Sequence, residues 1–424
     1  MISRRHLLLA AAQAALPAAA PDGGVQAFAA DEFVESVGVN THLSSGLYAS
    51  RFAEVRKLLG ASGIRHARDE LRPANDIPRW RGLFDSFGIR SHLLVSPATN
   101  SPAEMVLYLR NLGVACVSAI EGQNEGDSDW FKAQPQARPD WAAATVAYQR
   151  AIHGVLRANY GADVLPLLSP SVIDWKPGDV RLIRDAAPYC DAVAIHSYVQ
   201  HGEHPETSDD YAAISWYLRA MRDAFKPGAP AMATETGYCT AIRPRSSAVS
   251  EVAAGLYLPR LLLNNFAAGV RRTFLYEFLN EGPDPNDGEQ NYGLLRADLT
   301  PKPAYTAIAR LIAALDDRGP RFTPGRLDVS LEGADPQVRS LLFGKRDGGF
   351  ILALWLAVPG WDPVTAKDIA VAPRAVDVIV ARPLASAASM VLNDGGGWTG
   401  VPVPQGPLRV MAREQVTLLK LVPS

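Results

Sequence analysis

The sequence predicts an α/β protein: a (β/α)8 TIM barrel followed by a small antiparallel β-sandwich-like domain. Three observations carry this reading. Short apolar runs alternate with longer amphipathic ones about eight times within about 280 residues, the size and rhythm of such a barrel. The glycine-rich first turn of a doubly wound, nucleotide-binding sheet is missing. Beyond Gly319 the helical period stops, and short apolar segments alternate with Gly, Pro and Asp turns.

The elements follow in order. The first strand is read in "VESVGVNTHLS" (34–44) and the first helix in "YASRFAEVRKLLGASG" (48–63), with Phe52, Val55, Leu58 and Leu59 at helical spacing and Gly63 as the stop. "IRHARDEL" is strand two, "DIPRWRGLFDSFG" a helix and "IRSHLLVSP" strand three. The helix of "SPAEMVLYLRNLG" opens on Ser101 as N-cap with Pro102 at the first helical position. "VACVSAIEG" is strand four, followed by the helix of 140–161 and strand five in "VLPLLSPSVI". A helix over 179–190 leads to strand six, "DAVAIHSYV"; the helix of 211–228 leads to strand seven, "PAMATETGY". The helix of 248–269, strand eight in "VRRTFLYEFLNE" and the helix of 302–317 complete the series. "VRSLLFGK", "GFILALWLA", "AVDVIVARP" and "QVTLLKLVPS" are among the strands of the second domain.

The chain has 424 residues, 48% hydrophobic and 20% charged, which suffices for a large core. Its formal charge of −2, without a basic run past the N-terminus, points to neither nucleic acid nor an anionic membrane as partner. The N-terminus reads as a leader: Arg4 and Arg5 precede a Leu/Ala-rich stretch, and Ala27-Phe28-Ala29 offers a small-residue cleavage site. The arginine pair suggests twin-arginine export, against an ordinary secretory leader with a chance pair. The expected organisation is a leader over 1–29, the barrel over 30–320 and the β domain over 321–424, with export to the bacterial periplasm or beyond and no membrane span in the mature chain. Cys116, Cys190 and Cys239 read as buried thiols, not a disulfide framework. No metal or nucleotide motif is present, so no cofactor or metal is expected.

A barrel carries its working groups at the C-terminal ends of its strands. Here those ends are polar: Asn40 and His42; Arg68, Asp69 and Glu70; Gln123, Asn124 and Glu125; His196 and Tyr198; Glu235; Tyr276, Glu277, Asn280 and Glu281. Glu125 and Glu235 stand on strands four and seven, across the mouth from one another, where two carboxylates can converge on one bond. Glycoside hydrolysis uses such a pair, one to protonate the leaving oxygen and one to attack or to activate water. A guanidinium beside a carboxylate favours its ionised form, and Arg68 is placed to serve Glu235 so. Glu121 reads either as a partner behind the site or as a barrel-interior carboxylate paired with Arg68. His201 and His204 read as a solvated loop bordering the cleft. The acidic turn-rich "NEGPDPNDGEQN" matches no EF-hand spacing and reads as a loop at the site's edge.

"GQNEG" together with "ATETGY" resembles the acid/base and nucleophile strands of the clan A glycoside hydrolases. Arg68 in "GIRHARDEL", the His-x-Tyr of "AIHSY" and "YGLLRADLTPKPAY" fit the same pattern, and the trailing β domain resembles that of family 39 and family 30 members. The resemblance implies a retaining mechanism on a carbohydrate substrate, with Glu125 as acid/base and Glu235 as nucleophile. It further implies that Asn124 holds a sugar 2-hydroxyl and that Tyr198 orients Glu235. His42 and His196 are then sugar or supporting hydrogen-bonders. The chain departs from the family at strand eight, where many members place a Trp under the sugar and this one has Glu277. Polar recognition by Glu277 is expected there, with stacking from Trp130 or Trp175; Trp216, in mid-helix, is read as core. The alternatives are a transglycosylase using the same carboxylates, a catalytically silent polysaccharide-binding barrel, and a metal-dependent hydrolase.

Overall fold

The computed structural model describes residues 24–72, 76–128, 140–173, 178–207, 214–242, 248–403 and 405–424. Two short strands open it, β1 (Val25–Gln26) and β2 (Phe28–Ala29), followed by helix α1 (Ala30–Glu35). β1 pairs with β11 (Arg326–Leu327) and β2 with β13 (Val338–Gly344), both in the C-terminal part of the chain. The expected boundary after residue 29 therefore falls inside the folded body. Cleavage there would remove two strands that the β domain uses.

Eight parallel strands form the barrel: β3 (Val37–Asn40), β4 (His66–Glu70), β5 (Arg90–Leu94), β6 (Val117–Glu121), β7 (Leu167–Leu168), β8 (Val193–His196), β9 (Ala231–Thr236) and β10 (Arg272–Leu275). Their order is β7-β6-β5-β4-β3-β10-β9-β8, and a parallel bridge from Leu168 to Ala192, just ahead of β8, joins the two ends. The surrounding helices are α2 (Gly46–Ser50), α3 (Phe52–Ser62), α4 (Ile77–Phe87), α5 (Pro102–Leu112), α6 (Trp141–Arg157), α7 (Asp179–Leu182), α8 (Ile214–Phe225), α9 (Glu251–Ala267) and α10 (Pro303–Leu315).

Local chemistry explains the ends. Ser101 accepts from the Glu104 amide at 3.3 Å while Glu104 accepts from the Ser101 amide at 2.8 Å, a reciprocal cap for α5. Gly63 stops α3 in a left-handed conformation, φ 75°. Three expected elements differ. The first strand starts at Val37, because Ala30–Glu35 winds as a helix that buries Phe33 and Val34. The helix read over 48–63 is two helices, α2 and α3, divided at Arg51. The helix read over 179–190 is one α turn followed by a 3-10 stretch over Arg184–Tyr189. Pro188 lies within that stretch and has no N–H to continue an α ladder.

The barrel interior is layered. Ala119, Leu168, Ala192, Ala194 and Met232 form an apolar plug. A polar layer of Arg68, His92 and Glu121 is also buried. Gly38 lacks a Cβ because the Phe274 ring occupies its place, 2.4 Å from where that atom would lie.

The C-terminal part is a sandwich. One sheet runs β19 (Thr399–Val401), β18 (Leu384–Val391), β21 (Thr417–Pro423), β14 (Phe350–Leu356), β13, β2; the other runs β12 (Val329–Glu332), β17 (Arg374–Val380), β20 (Leu408–Ala412). A small hairpin, β15 (Trp361–Asp362) and β16 (Lys367–Asp368), follows β14 and packs Trp361 against the barrel's core. All of β14 is buried. Ile351, Ala353 and Trp355 join the barrel's core, and the alternate Phe350, Leu352, Leu354 and Leu356 join the sandwich core. Two-sided burial is why "FILALWL" is continuously apolar. Among the described residues no helix is long and apolar enough to cross a membrane. The three cysteines are buried and none is joined to another in a disulfide.

Candidate active site

Arg68, near the end of β4, is the hub of the barrel mouth. It is 4% exposed. Its Nε and Nη2 grip Glu121 at 2.7 and 2.9 Å, a fork-to-fork pair. Nη1 donates to Glu235 at 2.8 Å and to Asn40 Oδ1 at 2.8 Å, and Nη2 donates to Asn124 Oδ1 at 2.7 Å. Glu121 ends β6 with no exposure and also contacts His92 Nε2 at 2.9 Å. Burial pushes its carboxyl up, but Arg68 and His92 pull it further down, well below the usual carboxylate range. Glu121 is thus the buried anchor of Arg68, and the guanidinium's remaining edge is turned to Glu235 and Asn124.

Glu235 sits on β9. Tyr198 donates to its second oxygen at 3.0 Å. Glu125 follows β6 in a left-handed conformation, φ 40°, which is unusual for a side chain with a Cβ and turns the chain sharply at the strand's end. Ser128 N closes that turn onto Glu125 O at 2.9 Å. His196 lies between the two carboxylates. Its Nδ1 is 2.6 Å from Glu125 Oε1 and 3.6 Å from Glu235 Oε2. An oxygen of each carboxylate and a nitrogen of His196 all fall within 4.8 Å of one another.

The electrostatics divide the proton unevenly. Burial would raise the Glu125 carboxyl, but the His196 and Arg68 charges outweigh it and the net shift is downward. For His196, burial acts to lower it, and Glu235 and Glu125 together raise it above the ordinary histidine value. The proton that an acid catalyst needs therefore rests on His196 in the free site. It is one short hydrogen bond from Glu125.

These groups line a cleft of about 340 Å³ with Asn40, His42, Gln200, Tyr276, Glu289 and Tyr292. Tyr198, Tyr292 and Tyr276 form a continuous aromatic wall, with ring centroids 5.8 and 5.5 Å apart. His42 continues it, 6.0 Å from Tyr276. Burial, Arg68 and Arg72 push the His42 imidazole down to about 4, so it is neutral at pH 7.

Several sequence expectations are corrected here. Glu277 does not line the cleft. It is fully buried, accepts from Tyr48 Oη at 2.8 Å, and is raised well above its ordinary value by burial and then by Glu281. The aromatic Tyr276, one residue earlier, takes the place at the cleft that the sequence reading gave to Glu277. His204 is not a solvated loop residue: it contacts Glu206 at 3.0 Å in a network with buried Arg260. Trp130 and Trp175 lie outside the described residues, as does the side chain of Trp216. Tyr292 was missed as a wall residue; its place just after the acidic loop was the available signal.

No family model matches the chain, and no curated protein matches it in sequence. Solved structures do match in fold. A family 39 glycoside hydrolase from Bacteroides cellulosilyticus WH2 superposes with a TM-score of 0.64 at 16% identity, over 93% of this chain and 82% of that one. The fold is shared with clan A glycoside hydrolases. A glucosidase from Croceicoccus marinus gives 0.58 at 14% identity, covering 87% of this chain and 91% of that one. A family 30 endoxylanase from Clostridium papyrosolvens C71 gives 0.52 at 10% identity, covering 94% and 97%. The likeness extends through both the barrel and the β domain, in keeping with the (β/α)8 barrel and trailing sandwich.

Proposed function

We propose that the chain is a glycoside hydrolase that cleaves an oligo- or polysaccharide with retention of configuration. The observation that carries this is the approach of Glu125 and Glu235, whose nearest described oxygens lie within 4.8 Å across the cleft. Retaining enzymes hold their carboxyl groups about 5–5.5 Å apart, whereas inverting ones leave about 6.5–9.5 Å for a water.

Glu235 attacks the anomeric carbon and forms a glycosyl ester while Glu125 delivers a proton to the departing oxygen. Arg68 and Tyr198, each bonded to a different oxygen of Glu235, fix its orientation. Before the first step the proton passes from His196 Nδ1 to Glu125 along their 2.6 Å contact. Glu125 then takes a proton from the water that cleaves the ester. The Oδ1 atom of Asn124 is held by Arg68, which leaves its amide to donate to a sugar hydroxyl. The Tyr198, Tyr292 and Tyr276 wall supplies apolar surface to the sugar. Export rests on the leader-like N-terminus alone and is part of the same proposal.

The test is Glu125→Ala assayed on paired substrates. Activity on a natural glycan should fall about 10²–10⁴-fold, and far less on an aryl glycoside whose leaving group needs no proton. Added azide should restore turnover and give a glycosyl azide of retained configuration by NMR. Equal losses on both substrates, or an inverted azide, would overturn the assignment.

A further inference from the structure

A second group of ligand-capable side chains adjoins the cleft through His42, and the mechanism does not use it. His42 follows β3; Glu277 and Glu281 follow β10. His42 Nε2 stands 3.5 Å from Glu277 Oε2 and 3.5 Å from Glu281 Oε1, and one ligand atom from each residue lies within 4.8 Å of the other two. His42 Nε2 is buried without a hydrogen-bond partner, as is the second Glu277 oxygen, Oε1, while Oε2 also accepts from Tyr48 Oη at 2.8 Å. Glu277 is wholly buried. Among the described residues neither glutamate has a Lys or Arg within ion-pair distance. Arg68 is bound to Glu121 and Glu235, and Arg72 to Glu70. Lys302 spends its ammonium on Thr240, Asn280 and the Asn291 carbonyl. Two carboxyl groups and an imidazole thus converge at a point that no lysine or arginine of the described residues reaches.

We propose that His42, Glu277 and Glu281 bind a divalent first-row cation, Zn²⁺ or Mn²⁺. One imidazole nitrogen and two carboxylates are the donor set such ions take. At a metal–ligand distance of about 2.1 Å, nitrogen-to-oxygen edges of this length subtend roughly tetrahedral angles. The catalytic cluster of Glu125, His196 and Glu235 also converges, but Arg68 already supplies its positive charge and His196 Nδ1 is engaged by Glu125. The cation therefore belongs to the first group. Because His42 lines the cleft, the ion would adjoin the substrate on the glycosidase reading.

The experiment needs no glycan. The protein is stripped by chelator, dialysed, and titrated with ZnCl₂ or MnCl₂ in a calorimeter, with bound metal counted afterwards. The expected result is one ion per chain in the wild type and in Glu235→Gln. His42→Ala and Glu281→Gln should each weaken binding by at least about 10–100-fold, the loss seen when even an outer partner of a ligand is removed. Glu281 is exposed, so its substitution leaves the fold intact, and a thermal melt checks this. Absence of saturable binding in the wild type, or binding that survives both substitutions, overturns the proposal. Zinc binding in a protein that cleaves no glycan would leave the metal site standing and remove the glycosidase reading instead.

Discussion

At the scale of residues, the site is organised around one guanidinium and one imidazole. Arg68 divides its donors between an anchor, Glu121, and two groups that face the cleft, Glu235 and Asn124. Its five N–H groups in a rigid fork are what make this division possible; a lysine at 68 could not grip Glu121 in a bidentate way. His196 holds the proton for Glu125. Its raised value means the proton is present below the ordinary histidine range and is lost as pH rises through the raised value. The alkaline limb of kcat/KM should therefore lie above that ordinary range. His196→Gln removes the reservoir, so the limb should move to lower pH while the acid side changes little. A pH profile of the two proteins checks this, and coincident alkaline limbs would contradict the role. Sequence alone identified Glu125, Glu235, Arg68 and Tyr198 as candidates, because each sits at a strand end. It did not reveal where the proton rests, since that depends on the approach of His196 to both carboxylates, which no spacing encodes.

At the scale of elements, the strands position the site through close backbone approach. Gly237 directly follows β9, and a Cβ there would lie 2.5 Å from the Tyr276 carbonyl oxygen at the end of β10. Gly237→Ala should push these strand ends apart, carrying Glu235 and Tyr276 with them. Overpacking of this kind costs about 1–3 kcal/mol. We expect a lower melting temperature and a loss of kcat/KM larger than the stability change explains, read by calorimetry and steady-state kinetics. Helix α5 was legible because its signals are local: Ser101, Pro102 and Glu104 specify its start within four positions. The helix over 179–190 was misread because apolar spacing persists where Pro188 and the neighbouring loop impose tighter turns. The Glu277 expectation failed for a similar reason. Tyr276 and Glu277 lie past Leu275, the last residue of β10, where the strand's alternation no longer says which side chain meets the cleft.

At the scale of the whole molecule, barrel and sandwich share a core and a buried ionic joint. Glu206, between β8 and α8, accepts from Arg260 of α9, from Asn264 at 3.0 Å and from Trp355 Nε1 of β14 at 2.7 Å. Arg260 is fully buried and also donates to the Val358 carbonyl at 3.1 Å. Burial pushes the Glu206 carboxyl up, but Arg260 and His204 bring it well below its ordinary value. Its contribution is therefore present above the ordinary carboxylate range and fades as pH falls through the depressed value. Glu206→Gln leaves a buried guanidinium without its counter-charge, a change worth about 3–5 kcal/mol. The melting temperature at pH 7 should drop markedly, and the gap from wild type should narrow in strong acid. An unchanged melt would show that the joint is not holding the halves. The sequence predicted two architectures from their periods, yet it could not show this joint, because the joining residues come from three separate segments.

The strands at the very start of the described chain carry a further consequence, for the order of assembly. Gln26 Nε2 donates to the Pro324 carbonyl 298 positions away, and Phe28 aligns with Phe343. On the ribosome these first residues emerge without a partner. At about 5–20 residues per second they wait some 15–60 s for the other half of their sheet to be made. The barrel can wind up strand by strand in that interval, but β2 gains its partner only once Phe343 and Gly344 have emerged. Nascent chains arrested before residue 324 would thus present unpaired strands to chaperones, whereas chains extended past residue 344 can cover them across some 300 positions of sequence.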